Sequence, residues 1–266
     1  LVLSDIDFYC SGSKLSIQNG YCRPIIRNSC KSYVDVKDIR HPIVEKIHTN
    51  TEYITNDIHL GKKDKKDGIL LFGTNACGKS TYMKAIGLNL IMAQAGLYVA
   101  CKSFEFVPYT QIFTRILNND NIFKSESTFA VEINELRSII NLSDSKSLVL
   151  GDELCSGTET ISAIKIVYAG LHTLCERKCS FVFTSHLHQL MDISIVKQIQ
   201  SLNVYHLKIE YDSLNDNLIY KRKLDYGSGP AIYGLEVCKA MDMGNDFIST
   251  AREIQFNLTD TSPKFI

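Results

Sequence analysis

The sequence has no excess of either charge: Lys and Arg together number 29, as do Asp and Glu, so the formal net charge is zero. A chain built to grip phosphate backbones would need a basic surplus on one face, which argues against a dedicated electrostatic nucleic-acid binder and puts any DNA contact elsewhere. No apolar run reaches membrane-spanning length and no charged-then-apolar leader opens the chain, so neither insertion nor secretion is indicated. The nine cysteines are odd in number and lack the paired spacing of a zinc site, which leaves reduced thiols as the expectation. There is no internal repeat and no low-complexity segment. The chain begins with Leu inside a helical pattern, which suggests a piece of a longer protein.

What is present is the composition of an ordinary globule, 45% hydrophobic and 22% charged, in 266 residues that suit one large α/β domain with appendages. Leu3, Ile6 and Cys10 recur at helical spacing up to Gly12, and Ser16 to Asn19 with Gly20 reads as a helix end and loop. The charged run from Lys62 to Asp67 reads as a solvated turn before the buried strand Ile69, Leu70, Leu71, Phe72. Further apolar strands are expected at Phe104–Val107, Leu148–Leu150 and Phe181–Phe183, separated by helical periodicity, which indicates a mainly parallel sheet flanked by helices. Tyr205–Tyr211 and Asn217–Leu224 flank a polar turn and read as an antiparallel hairpin. The pattern is helical again from Tyr233.

Three groups of residues carry chemistry. Gly73, Thr74, Asn75, Ala76, Cys77, Gly78, Lys79 and Ser80 fit the glycine-framed phosphate loop between a strand and a helix. The glycines let successive N–H groups face β- and γ-phosphates, Lys79 adds a point charge, and Ser80 offers a hydroxyl to Mg²⁺. The strand Leu148–Leu150 runs into Gly151, Asp152 and Glu153. An acidic pair there could cap a helix; beside a phosphate loop, Asp152 is assigned to the Mg²⁺ shell and Glu153 to the attacking water. The third strand ends in Thr184, Ser185 and His186, where a histidine could contact the γ-phosphate or the water. His188 has no metal-binding partner in sequence and reads as a surface residue.

The order of these motifs resembles the MutS mismatch-repair family along nearly the whole chain. The resemblance runs from Asp38-Ile39-Arg40-His41-Pro42 through Tyr53-Ile54-Thr55-Asn56-Asp57 and the phosphate loop with Ser80-Thr81-Tyr82-Met83. It continues through Gln94-Ala95-Gly96-Leu97-Tyr98, Thr114-Arg115-Ile116, Glu126 to Glu132, Asp152-Glu153-Leu154 with Gly157-Thr158, Thr184-Ser185-His186 and Tyr233-Gly234-Leu235. What it implies is a P-loop ATPase domain of the ABC type at residues 19–229, preceded by the end of a connector helix at 1–18 and followed by a helical dimerisation extension at 230–266. ATP and Mg²⁺ are the implied cofactors. Two such domains, as homodimer or heterodimer, would share each site, the Ser127 segment of one reaching the γ-phosphate on the other. Tyr53 and Ile54 match the segment where the family stacks an aromatic ring on adenine, Asn75 matches a residue near the γ-phosphate, and Tyr205 would be a second adenine neighbour. From the residues alone, Tyr53 and Tyr205 read as core or strand residues and Ser127 as a helix N-cap. The stripe Phe247, Ile248, Ala251, Ile254 would face a partner chain or its own domain.

The chain departs from the family pattern at Thr74, Ala76 and Cys77, and at Cys155-Ser156, where the family has Gly-Arg. Loss of that Arg bears on coupling across the dimer. A divergent branch, viral or organellar, is implied, in a reducing intracellular compartment such as cytoplasm, nucleus, organelle or viral factory. Two alternatives stay open: a nucleotide-switched DNA clamp with little turnover, and the ATPase head of a chromosome-maintenance protein.

Overall fold

The structure is a computed structural model and describes residues 2–47, 52–63, 66–74, 77–116, 128–155, 159–191, 196, 199–212, 217–230, 235, 238–239, 241 and 243–260. In chain order the elements are α1 (Val2–Asn19), β1 (Ile25–Ile26), β2 (Tyr33–Ile39), α2 (Val44–Ile47), β3 (Asn56–Leu60), β4 (Gly68–Phe72), α3 (Lys79–Gln94), β5 (Ser103–Val107) and β6 (Gln111–Arg115). They continue with α4 (Thr128–Leu142), β7 (Ser147–Gly151), α5 (Thr160–Glu176), β8 (Ser180–Ser185), a 3₁₀ turn (His188–Met191), β9 (Leu202–Asp212), β10 (Asn217–Tyr226) and α6 (Asn245–Asp260).

The main sheet runs β10-β9-β4-β8-β7-β6, with every pair parallel except the β9/β10 hairpin. Its central strands are buried on both faces, and alternate residues feed two cores because successive strand side chains point to opposite sides. Ile69, Leu71, Leu148, Leu150 and Val182 enter one core; Leu70, Phe72, Val149, Phe181 and Phe183 enter the other. The second core is closed by α4 and α5 through Leu136, Ile139, Ala163, Val167 and Leu171. The first is closed by α3 and then by a smaller sheet, ordered β1-β5-β2-β3, whose Val34, Val36, Ile58 and Phe104 cover the far side of that helix. Lying between two sheets, α3 buries most of its circumference, including Tyr82, Met83, Ala85, Ile86, Leu90 and Ala93.

Glycine sets the fit of the large β8 aromatics. Phe181 stands opposite Gly68 and Phe183 opposite Gly151. A Cβ at either glycine would lie 2.0 Å from the facing ring, so a side chain at either position would force that ring to move.

Two details differ from the sequence reading. The strand around Phe104–Val107 does not join the parallel sheet; β5 pairs antiparallel with β2 in the small sheet. Its place beside β7 is taken by β6, whose mixed exposure gives no continuous apolar run. The first helix ends at Asn19, where the sequence places its end, with Ser16 Oγ donating to the Gly12 carbonyl at 2.6 Å. The charged run before β4 is anchored: Asp67 is buried and paired with Lys31, while Lys62 bridges Asp35 and Glu105. The hairpin and the last helix fall where the sequence places them.

Candidate nucleotide site

Register brings three strand ends together. Phe72 stands opposite Ser185, Gly151 opposite Phe183 and Arg115 opposite Gly151, so the segments beginning at Gly73, Asp152 and His186 leave the sheet at one edge. Ligands of parallel α/β sheets bind at this edge.

The loop from β4 to α3 turns on Gly73 and Gly78, at φ 153° and 107°. Cys77 Sγ lies against Gly73, where a Cβ would approach it to 2.6 Å. Helix α3 starts without a side-chain cap and has no acidic residue in its first turn, which leaves its first N–H groups and positive dipole end for an outside anion. Lys79 is 4% exposed, and its ammonium donates to the carbonyls of Gly73 and Thr74 at 2.7 and 3.1 Å. It also lies 3.4 Å from Glu153 Oε1. The Thr74 hydroxyl is buried without a hydrogen-bond partner among the described residues. Asn75 and Ala76 lie outside the described residues, as do Ser127 and the 156–158 segment with Ser156.

Opposite the loop, Asp152 is buried and its Oδ1 accepts the Thr184 hydroxyl at 2.5 Å. Thr184 Oγ1 in turn accepts the Glu153 backbone N–H at 3.1 Å, so one hydroxyl fixes both acidic residues. The Asp152 N–H donates to the Arg115 carbonyl at 2.7 Å, extending the β6/β7 ladder by one rung. His186 Nδ1 stands 3.8 Å from Glu153 Oε2, which places Glu153 between Lys79 and a half-exposed imidazole. His188 turns away and packs its ring on Phe72 at 5.1 Å.

Beside the loop lies a cavity lined by Tyr53, Ile54, Thr81, Tyr82, Leu207 and Arg222, among others. Burial raises the phenol pKa of Tyr53 above its ordinary value. The other aromatic named from sequence, Tyr205, is not among these lining residues and stacks on Tyr226 with ring centroids 4.8 Å apart. Arg222 reaches the cavity because β10 slips register between Tyr220 and Leu224, where Arg222 takes φ 53°. Asn56 clamps that bulge, donating to the Arg222 carbonyl at 2.9 Å and accepting the Leu224 N–H at 2.8 Å. No periodicity in Lys221-Arg222-Lys223 announces this, since a bulge leaves no mark in a run of three like charges.

The donor set suits a magnesium nucleotide. Ser80 and Asp152 supply hard oxygens, an uncapped helix end and an ammonium face the same edge, and a cavity with an aromatic wall adjoins them. A glycine-framed loop between a buried parallel strand and a helix, with a carboxylate pair at the end of β7 one strand beyond its β8 neighbour, defines a P-loop α/β domain. Residues 69–259 match the family model for MutS domain V. The chain is 42% identical to a mutS homologue of Acanthamoeba polyphaga mimivirus over 97% of its length, and 39% identical to a mitochondrial DNA mismatch repair protein mutS homologue of Sarcophyton glaucum over 89%. It is 34% identical to the DNA mismatch repair protein MutS of Clostridium botulinum over 95%. The chain therefore belongs to the MutS family. It spans about a quarter of the length of these curated relatives, 26%, 24% and 27% respectively.

Proposed function

We propose that this chain is the MgATP-hydrolysing domain of a DNA mismatch repair protein and that it works as one half of a nucleotide-switched dimer. The observation that carries the reading is the convergence of Lys79, Asp152, Glu153, Thr184 and His186 at one sheet edge, beside the Tyr53–Arg222 cavity.

The N–H groups from Gly73 to Thr81 and the Lys79 ammonium hold the phosphates. Tyr53, Ile54 and Leu207 hold the base, with Arg222 beside them. Ser80 and Asp152 hold Mg²⁺, which when bound offsets phosphate charge during transfer. Glu153 orients the attacking water and takes its proton, while the bond between the γ-phosphorus and its bridging oxygen breaks to give ADP and phosphate. His186 steadies Glu153 or the γ-phosphate from the solvent side. Thr184 holds the Asp152 carboxylate, which would ligate the metal, and the backbone of Glu153, which would serve the water.

Tighter binding of MgATP by the closed than by the open arrangement of two domains supplies the free energy of closure. The Ser127 segment of each chain completes the partner's site, in a homodimer or a MutS-type heterodimer. Motion passes through α1 to DNA-holding parts outside this chain, in a reducing compartment of the cell, an organelle or a viral factory. Among the described residues, no helix is long and apolar enough to cross a membrane.

Single-turnover ATP hydrolysis against protein concentration tests the shared site, with Ser127→Ala alongside. The expected rate rises steeply with concentration and is lost in Ser127→Ala. A concentration-independent rate untouched by the substitution, or binding with no hydrolysis, would contradict the reading.

A further inference from the structure

We infer that Glu132 is a positioning residue for the acidic pair: from the first turns of α4, its buried carboxylate holds the Asp152–Cys155 loop in the shape that aims Glu153. The consequence for turnover rests on the hydrolytic reading above; the contacts do not. Glu132 is 3% exposed, a burial that an ionised carboxylate tolerates only when its oxygens are engaged. Its Oε1 accepts the Cys155 backbone N–H at 2.8 Å and lies 3.7 Å from Arg115 Nη2. Arg115 grips the other end of the same loop, its carbonyl accepting the Asp152 N–H at 2.7 Å. One turn further along α4, Glu135 Oε2 stands 2.8 Å from Arg115 Nε, so the guanidinium sits between two α4 carboxylates.

The loop needs such a hold because of its backbone. Glu153 and Cys155 adopt φ 47° and 60°, the left-handed region where a side chain crowds its own carbonyl. Conformations of this kind persist only when the surroundings enforce them. Thr184 enforces the front of the loop through the Glu153 N–H; Glu132 enforces the back through Cys155. The Cys155 side chain is 1% exposed in the core beneath α4 and α5. Without the Glu132 oxygen, the Cys155 N–H is left buried and unpaired, and relaxation of φ at 155 swings Glu153 away from Lys79 and His186. Helix α4 begins at Thr128, directly after Ser127, so the Glu132 contact joins the segment expected to meet a partner chain to the group expected to activate water.

The test uses the full-length protein and four versions of it: wild type, Glu132→Gln, Glu132→Ala, and Glu132→Ala combined with Cys155→Gly. Single-turnover hydrolysis and equilibrium MgATP binding are measured together with backbone amide exchange over Asp152–Cys155 in nucleotide-free protein. Glu132→Ala is expected to slow hydrolysis about tenfold or more while affinity stays within about threefold, because the loop and not the phosphate cradle is disturbed. Glu132→Gln, which keeps an acceptor oxygen, stays within about threefold of wild type in rate. The double variant recovers most of the lost rate and amide protection, because glycine adopts the left-handed φ unaided. A Glu132→Ala rate equal to wild type, a Glu132→Gln rate as low as Glu132→Ala, or a double variant no faster than Glu132→Ala would each overturn the assignment. If the wild type binds MgATP without turning it over, the hydrolytic reading alone fails. The exchange data then decide the role of Glu132: unchanged protection in Glu132→Ala refutes it, and loss with recovery in the double variant supports it.

Discussion

The protein carries charge in two very different settings. On the small sheet, Lys62 joins Asp35 and Glu105, and Arg27 and Tyr33 also meet Glu105. Arg27 and Lys62 remain 55% and 35% exposed there. At the end of the parallel sheet, Lys79, Asp152 and Glu132 are 4%, 6% and 3% exposed, and each depends on one or two specific partners. Surface pairs of the first kind contribute about 0–1 kcal/mol because water screens them. Buried charges of the second kind lower stability unless fully paired, and they concentrate where a charge serves a ligand or holds a functional loop. The contrast assigns chemistry to the sheet edge and ordinary solvated pairing to the small sheet.

The sharpest way to break that contrast is Lys79→Met, which removes a buried ammonium without leaving a void. MgATP affinity, followed by titration with a fluorescent analogue, is expected to fall on the order of a hundredfold, with thermal stability little changed, since the ammonium serves the phosphates and not the core. Thr184→Val keeps the side-chain shape and leaves Asp152 Oδ1 and the Glu153 N–H without their partner. It should cost about 1–3 kcal/mol in denaturant unfolding and slow hydrolysis as well. Gly151→Ala forces a methyl into the Phe183 ring and should destabilise by about 1–3 kcal/mol while sparing the site chemistry in whatever fraction stays folded.

The smallest effect belongs to the small sheet. Lys62, followed by Tyr33, pulls the Glu105 carboxyl down to about 2 from the ordinary 4.5. A depressed folded value means that the charged form stabilises the fold above the unfolded value, and that this stability is lost as pH falls from about 4.5 toward about 2. Glu105→Gln should therefore change stability at neutral pH by no more than about 1 kcal/mol and flatten part of the acid limb of the unfolding curve. A larger effect here than in Thr184→Val would reverse the contrast between the two regions.

Much of the sheet edge was legible in the sequence because its elements are local. A glycine-framed loop, an acidic pair and a histidine each follow an apolar strand, and parallel strands must place those ends together. The partition of strands between two sheets was not legible, since Phe104–Val107 has the same apolar pattern whichever partner it takes. Nor were the left-handed residues Glu153 and Cys155, because neither is a residue type that announces positive φ. Arg222 enters the cavity through a bulge, and Asp67 is buried within a charged run; both depend on contacts distant in sequence. The stripe on the last helix was read in part: Ile248 is buried within the domain, while Phe247 and Ile254 are 50% and 54% exposed. We propose that these two meet a partner chain.

On the function proposed above, Glu153 serves the water and not the binding of nucleotide. This role is tested most directly by measuring MgATP affinity and single-turnover hydrolysis on the wild type and on Glu153→Gln. Affinity should stay within about threefold and hydrolysis fall on the order of a hundredfold or more, because the amide keeps the shape and loses the base. Hydrolysis at the wild-type rate in Glu153→Gln would contradict that role.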